Sequence, residues 1–207
     1  MTSVSGTEGY AEEADELVQR YESTSFAQVH RSVLHLIPTA PCWVLDIGSG
    51  TGRDAAALAA MGHRVVAVEP TAEMRIRAAA LHPSQQIEWL DDSLPDLAQV
   101  TQLGGQFQLV MLTAVWMHLD EPQRRRAMPR VASLVRMGGF ISMTLRHGPV
   151  PRGRRMFEVP ANETIALAEA EGLRCLFNQA RTPALRTPNV SWTRLVFAKP
   201  NEAARNR

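Results

Sequence analysis

The sequence predicts an α/β fold, a parallel sheet covered by helices on both faces. Three observations carry that prediction. Short, valine-rich apolar runs alternate with longer helical stretches through most of the chain, the pattern of successive βα units. The first run leads into three glycines on alternate positions, Gly48, Gly50 and Gly52, and then directly into a helix. The last two apolar runs follow each other without a helix between them, which predicts a hairpin and so one antiparallel strand.

The elements follow in order. Residues 8–37 read as helical with a break near 23–25; Ser25-x-x-Gln28 is a capping box for the second helix, and Pro38 ends it. Strands are expected near 43–47, 64–68, 86–90, 106–113 and 138–146, and helices near 53–61, 71–82, 94–103 and 121–136. Thr71 is positioned to cap the helix it precedes. A helix over 162–171 ends at Gly172, and 173–177 and 192–198 supply two more strands. The organisation is therefore a helical cap over 1–40, one domain over 41–199 and a frayed tail over 200–207.

Composition excludes several classes. A chain of 207 residues that is 45% hydrophobic can bury a full core as one domain. A net charge of +1 gives no bulk attraction to nucleic acid or anionic membrane. Cys42 and Cys175 form no C-x-x-C pair, so neither a metal site nor a disulfide framework is expected, and a reducing cytoplasm is the natural setting. The N-terminus is polar and acidic, unlike a signal peptide. The apolar run at 107–119 is interrupted and too short to span a bilayer.

The glycine turn points to a ligand. Without a Cβ, backbone can approach it closely. The spacing is G-x-G-x-G, with Arg53 where a dinucleotide fingerprint places its last glycine. Asp46 lies just before the turn, where a carboxylate would repel a pyrophosphate and suit an ammonium group. Glu69 ends the second strand 21 residues after Gly48, a position from which it can accept bonds from ribose hydroxyls. S-adenosylmethionine meets both demands; NAD does not.

These residues resemble the class I S-adenosylmethionine-dependent methyltransferases over roughly 40–146. The resemblance implies a Rossmann-like, doubly wound sheet of seven strands with the seventh reversed. It also implies S-adenosyl-L-methionine as cofactor and S-adenosyl-L-homocysteine as product. By that likeness the cofactor contacts are Asp46, Gly48, Ser49, Gly50, Arg53, Glu69, Pro70, Met74 and Thr113, with Asp92, Ser93 and Leu94 on the adenine side. Gln108 and Met137 depart from the family, which usually has Asp and Pro there.

For chemistry, His118 and His147 are the candidate bases, both near strand ends and with an unperturbed pKa of about 6.5. For His118 a loop residue bonded to backbone is the favoured reading; for His147 base and loop residue weigh equally. Trp116 is a candidate aromatic wall or a core residue, and Tyr10, Arg146 and His147 are candidate acceptor contacts. The arginines at 124–126 and at 152, 154 and 155 read as a solvated face or as partners of carboxylates.

The segment Thr113-Ala114-Val115-Trp116 lacks the Asn- or Asp-Pro-Pro-aromatic turn of nucleic-acid amino-methyltransferases. A small-molecule acceptor is therefore expected, methylated at N or O of an aromatic or heteroaromatic ring. The alternatives are an RNA or protein methyltransferase, a nicotinamide oxidoreductase and a non-catalytic cofactor-binding module.

Overall fold

A computed structural model describes residues 4–181 and 189–201. The chain begins with α1 (Ala14–Glu22) and α2 (Phe26–Val29). Then β1 (Trp43–Ile47), α3 (Arg53–Ala60), β2 (Arg64–Val68), α4 (Ala72–Leu81) and β3 (Ile87–Leu90) alternate. After α5 (Ala98–Gln102) come β4 (Phe107–Leu112), a 3-10 turn (Trp116–His118), α6 (Glu121–Leu134) and β5 (Val135–His147). The last elements are α7 (Ala161–Ala170), β6 (Arg174–Arg181) and β7 (Ser191–Ala198).

The strands form one seven-stranded sheet in the order β3-β2-β1-β4-β5-β7-β6. The pairs β1–β2, β1–β4, β2–β3 and β4–β5 are parallel; β7 runs antiparallel to both β5 and β6. This is the mostly parallel Rossmann-like sheet with its seventh strand reversed. Strand order reverses between β1 and β4, so a crevice opens outside their carboxyl ends, the usual ligand position in such sheets.

Both faces of the sheet are buried. Val44, Leu109 and Met111 pack toward Ala55 and Leu58 of α3 on one side, while Leu45, Val110 and Leu112 pack toward Met128 and Val131 of α6 on the other. That alternation is the period-2 geometry of a strand. Each fully buried side chain of this size contributes about 1.5–3 kcal/mol.

The N-terminal third differs most from expectation. The Ser25–Gln28 capping box forms, but the helix it opens ends at Val29, and residues up to 13 run in turns. α2 ends at His30, whose ring is fully buried and whose Nε2 bonds Asp54 at 2.7 Å. The helix expected from 94 begins only at Ala98, after Leu97 takes a left-handed φ of +47°. α6 stops at Leu134, and β5 starts three residues earlier than the expected 138. From residue 202 onward the expected tail lies outside the described residues.

Candidate active site

The strand ends border a cavity of about 600 Å³. Its inner end is the glycine turn. At Gly48, φ is +67° and a Cβ would sit 2.5 Å from Val115 Cγ2, so the turn presses against the loop after β4. At Gly50, φ is +56° and a Cβ would meet nothing within 4 Å, so bare backbone faces the cavity and a ligand can reach it directly.

Two buried carboxylates flank the turn. Glu69 Oε2 accepts the Gly50 amide at 2.9 Å, and its Oε1 accepts the Thr71 amide at 2.8 Å. Burial pushes its pKa up, against the lowering effect of the bonds from Thr71 and Gly50. Each carboxylate oxygen can accept a second bond, so capacity remains for hydroxyls in the cavity. Thr71 occupies the cap position of α4 without a side-chain cap bond, because it serves Glu69 instead. Asp46, only 1% exposed, lines the cavity floor with Oδ2 unpartnered. Burial, then the charge of Asp54, raises its pKa well above the usual carboxylate value. An orphaned acceptor of this kind is costly until a donor reaches it, and an ammonium group is a strong donor. The bare Gly50 backbone, the spare acceptor sites of Glu69 and the unpartnered Asp46 oxygen together fit a ligand carrying a ribose and an amino-acid end.

Behind this surface, Asp54 of α3 gathers the end of α2 and the residue after β4. Its Oδ2 accepts His30 Nε2 at 2.7 Å and Thr113 Oγ1 at 2.9 Å, and its Oδ1 accepts Arg53 Nε at 2.8 Å. Burial alone would raise its pKa, but His30 and Arg53 hold the carboxyl ionised. Burial keeps His30 neutral. Arg53 also reaches the Tyr21 carbonyl at 3.3 Å, which ties α3 to the end of α1.

The outer end is assembled from distant segments. The Tyr10 hydroxyl lies 3.1 Å from His118 Nε2, and His118 Nδ1 donates to the Arg155 carbonyl at 2.9 Å. Burial lowers the His118 pKa, so the ring is neutral with its Nε2 lone pair toward Tyr10. Burial also raises the Tyr10 phenol well above its usual value. Arg154 packs over the Tyr10 ring at 4.3 Å and bonds Glu13 Oε2 at 2.6 Å, fastening the N-terminal segment over the cavity. Ala114 takes a left-handed φ of +62° while its amide donates to Thr144 Oγ1 at 2.8 Å. A non-glycine residue held there costs free energy and is typical of functional loops.

Of the sequence-predicted residues, Asp46, Gly48, Ser49, Gly50, Arg53, Glu69, Pro70, Asp92, Ser93, Leu94, Thr113, Tyr10, His118 and Arg146 meet on this cavity. Three do not. Met74 is 1% exposed and packs with Ala14 and Leu17 between α4 and α1. Trp116 is fully buried in the core beneath the 3-10 turn and forms no wall. His147 bonds Glu158 Oε1 and Thr193 Oγ1, both at 2.9 Å, and is not among the cavity residues. Strand parity is the reason: Thr144 and Arg146 point to the cavity, so Leu145 and His147 point away.

Asp92 lines the cavity, but its carboxylate accepts the amides of Ser93, Ala98, Gln99 and Val100. Those bonds fill its acceptor sites, so the amine contact expected of it is not free. Trp192, missed from the sequence, lines the outer end opposite Arg146 in register. Its signal was the pairing of β7 with β5, which needs the topology. Five of the six noted arginines have carboxylate partners: Arg124–Glu163, Arg125–Glu121, Arg126–Asp96, Arg154–Glu13 and Arg155–Asp120.

Residues 44–139 match the family model of the methyltransferase domain. No curated protein matches the chain. Among solved structures, it is similar to a TehB-like SAM-dependent methyltransferase from Corynebacterium glutamicum, with 19% identity, TM-score 0.69, and coverage of 91% of this chain and 98% of that one. The 1,6-didemethyltoxoflavin-N1-methyltransferase of Burkholderia thailandensis, with bound 1,6-didemethyltoxoflavin and S-adenosylhomocysteine, is 19% identical at TM-score 0.67, covering 97% and 93%. A putative methyltransferase of Haloferax volcanii, in complex with the Trm112 methyltransferase activator, is 15% identical at TM-score 0.72, covering 94% and 99%. At these identities the likeness is one of fold.

Proposed function

We propose that the chain is a class I S-adenosylmethionine-dependent methyltransferase, with residues 44–139 as its methyltransferase domain, and that it methylates a nitrogen or oxygen of a small aromatic or heteroaromatic molecule. The observation that carries this reading is the half-enclosed, aromatic-lined outer end of the cavity. Arg154 fastens the N-terminal segment there, and Tyr10, Tyr21 and Trp192 offer flat apolar surface. Such a space suits a small ring better than a polymer. The 1,6-didemethyltoxoflavin bound by the Burkholderia enzyme of the same fold supports the reading. No helix among the described residues is long and apolar enough to cross a membrane.

S-adenosylmethionine, when bound, supplies an electrophilic methyl group on its sulfonium. Asp46 and the Gly48–Gly50 backbone hold the amino-acid end, and Glu69 accepts the ribose hydroxyls. Pro70, Ser93, Leu94 and Thr113 shape the walls between, while Arg53 acts by fixing Asp54. Positioning an acceptor in line within such a cavity supplies roughly 7–11 kcal/mol of barrier reduction. Where the acceptor must lose a proton, Tyr10 and His118 take it together: the phenol oxygen accepts the proton as the phenol's own moves to His118 Nε2.

The test is a metabolite screen with methyl-labelled cofactor. Label in a small aromatic amine, ring nitrogen or phenol is the expected result. Label found only in protein or RNA would overturn the reading.

A further inference from the structure

The cavity is electrically polarised along its length. Asp46, Asp54, Glu69 and Asp92 line the inner end, where Arg53 is bonded to Asp54, and Arg20 of α1 also borders the cavity. The outer end carries Arg146, Arg152 and Arg154, and its one lining carboxylate, Glu13, is bonded to Arg154. Arg146 donates to the carbonyls of Gly148 and Pro149, at 3.3 and 2.8 Å, and to no carboxylate among the described residues. Glu158, the carboxylate acting on it from beyond the cavity, is bonded to His147, and the charge of Arg20 repels it. Arg152 has no carboxylate partner among the described residues, unlike the other five arginines of the two clusters.

Two guanidiniums are thus left facing a half-enclosed space beside the place where a cationic cofactor binds. Like charges there repel unless the second ligand brings negative charge. A guanidinium offers five N–H donors in a planar fork that matches oxyanions, and Arg146 uses two of them on backbone. Trp192 lies opposite Arg146 in the β5–β7 register, with Val150, Met156 and Val190 nearby as apolar lining.

We propose that the acceptor is an anion: its carboxylate or phosphate sits at the rim carrying Arg146 and Arg152, and its apolar body lies against Trp192. This rests on the small-molecule reading above.

The test is calorimetric titration of the S-adenosylhomocysteine-loaded protein with matched ring probes: 4-aminobenzoate, 4-hydroxybenzoate and phenyl phosphate against 4-aminobenzamide. The acids should bind at least about tenfold more tightly than the amide. Which acid binds best separates carboxylate from phosphate. Arg146→Met and Arg152→Met should each erode the preference while leaving S-adenosylhomocysteine affinity unchanged, which also shows that both variants are folded. Equal binding of acid and amide, or a preference that survives both substitutions, would overturn the proposal. No binding by any probe, with label passing to protein or RNA, would overturn the small-molecule reading along with it.

Discussion

The glycine turn and its carboxylates, the heart of the inner end, come from two short segments, 46–54 and 69–71, close in the chain; the outer end comes from four segments scattered over it. At the inner end, Glu69 reaches a glycine turn 19 residues away, and backbone amides hold the geometry. At the outer end, Tyr10 meets His118 across 108 residues and Arg154 meets Glu13 across 141, by single side-chain contacts. The difference separates two tasks. The end proposed to hold the invariant cofactor is short-range and backbone-built, while the end proposed to choose an acceptor is made of exchangeable side chains on loops.

Substitutions can break this contrast, the largest effect falling at the outer end. His118→Ala should lower kcat by about 10²–10⁴-fold for an acceptor that loses a proton, with S-adenosylmethionine affinity retained. Steady-state kinetics with a phenolic or N–H acceptor checks this, and Tyr10→Phe should follow it. At the inner end, Asp54→Ala leaves Arg53 without its counter-charge and the buried His30 Nε2 without its acceptor, and should cost about 3–5 kcal/mol of stability in a urea melt. Glu69→Ala should weaken cofactor binding by about 1.5–3 kcal/mol in calorimetry, with acceptor specificity unaltered.

A pH series sharpens the comparison, because each end holds a histidine that burial keeps below its ordinary pKa, His30 and His118. In the unfolded chain both take a proton near about pH 6.5. In the folded protein they stay neutral to lower pH, so between the two values the unfolded state binds more protons. Stability is therefore full above about pH 6.5 and falls as pH drops through that window. Thermal melts stepped down from about pH 7.5 to about pH 5 should show the decline, and His30→Gln should flatten it. The smallest effect belongs to His147→Ala, which should leave turnover and cofactor affinity unchanged, since both ring nitrogens are bonded away from the cavity.

The same contrast decides what was legible beforehand. The inner end was readable because strand, glycine turn, helix and Glu69 are consecutive, and consecutive residues have fixed spacing in space. The strands were readable for a similar reason, as local periodicity, and the antiparallel pair as a missing helix, while the reversal of the seventh strand came with the family resemblance. Failures came where a residue's role depended on a partner far along the chain or on parity. The adenine-side role of Asp92 rests on the family resemblance of 90–95, while α5 starts at Ala98, four residues after the expected 94, which turns the carboxylate to that helix's N-terminal amides. His147 was taken with Arg146 because both end β5, yet adjacent strand residues face opposite sides. Trp116 was weighed as a wall because its position after β4 was visible and its burial was not. Trp192 had no sequence cue until β7 was paired with β5.

The Asp54 cluster has a consequence for how this protein tolerates change. His30, Arg53, Asp54 and Thr113 stand at the end of α2, on α3 and just after β4, yet they share one carboxylate. Substitutions among them will not add: once the carboxylate is gone, losing His30 or Thr113 removes a bond that no longer exists. In any library or evolving lineage the four behave as a single heritable unit, so neutral drift at one becomes permissible only after a matching change at another.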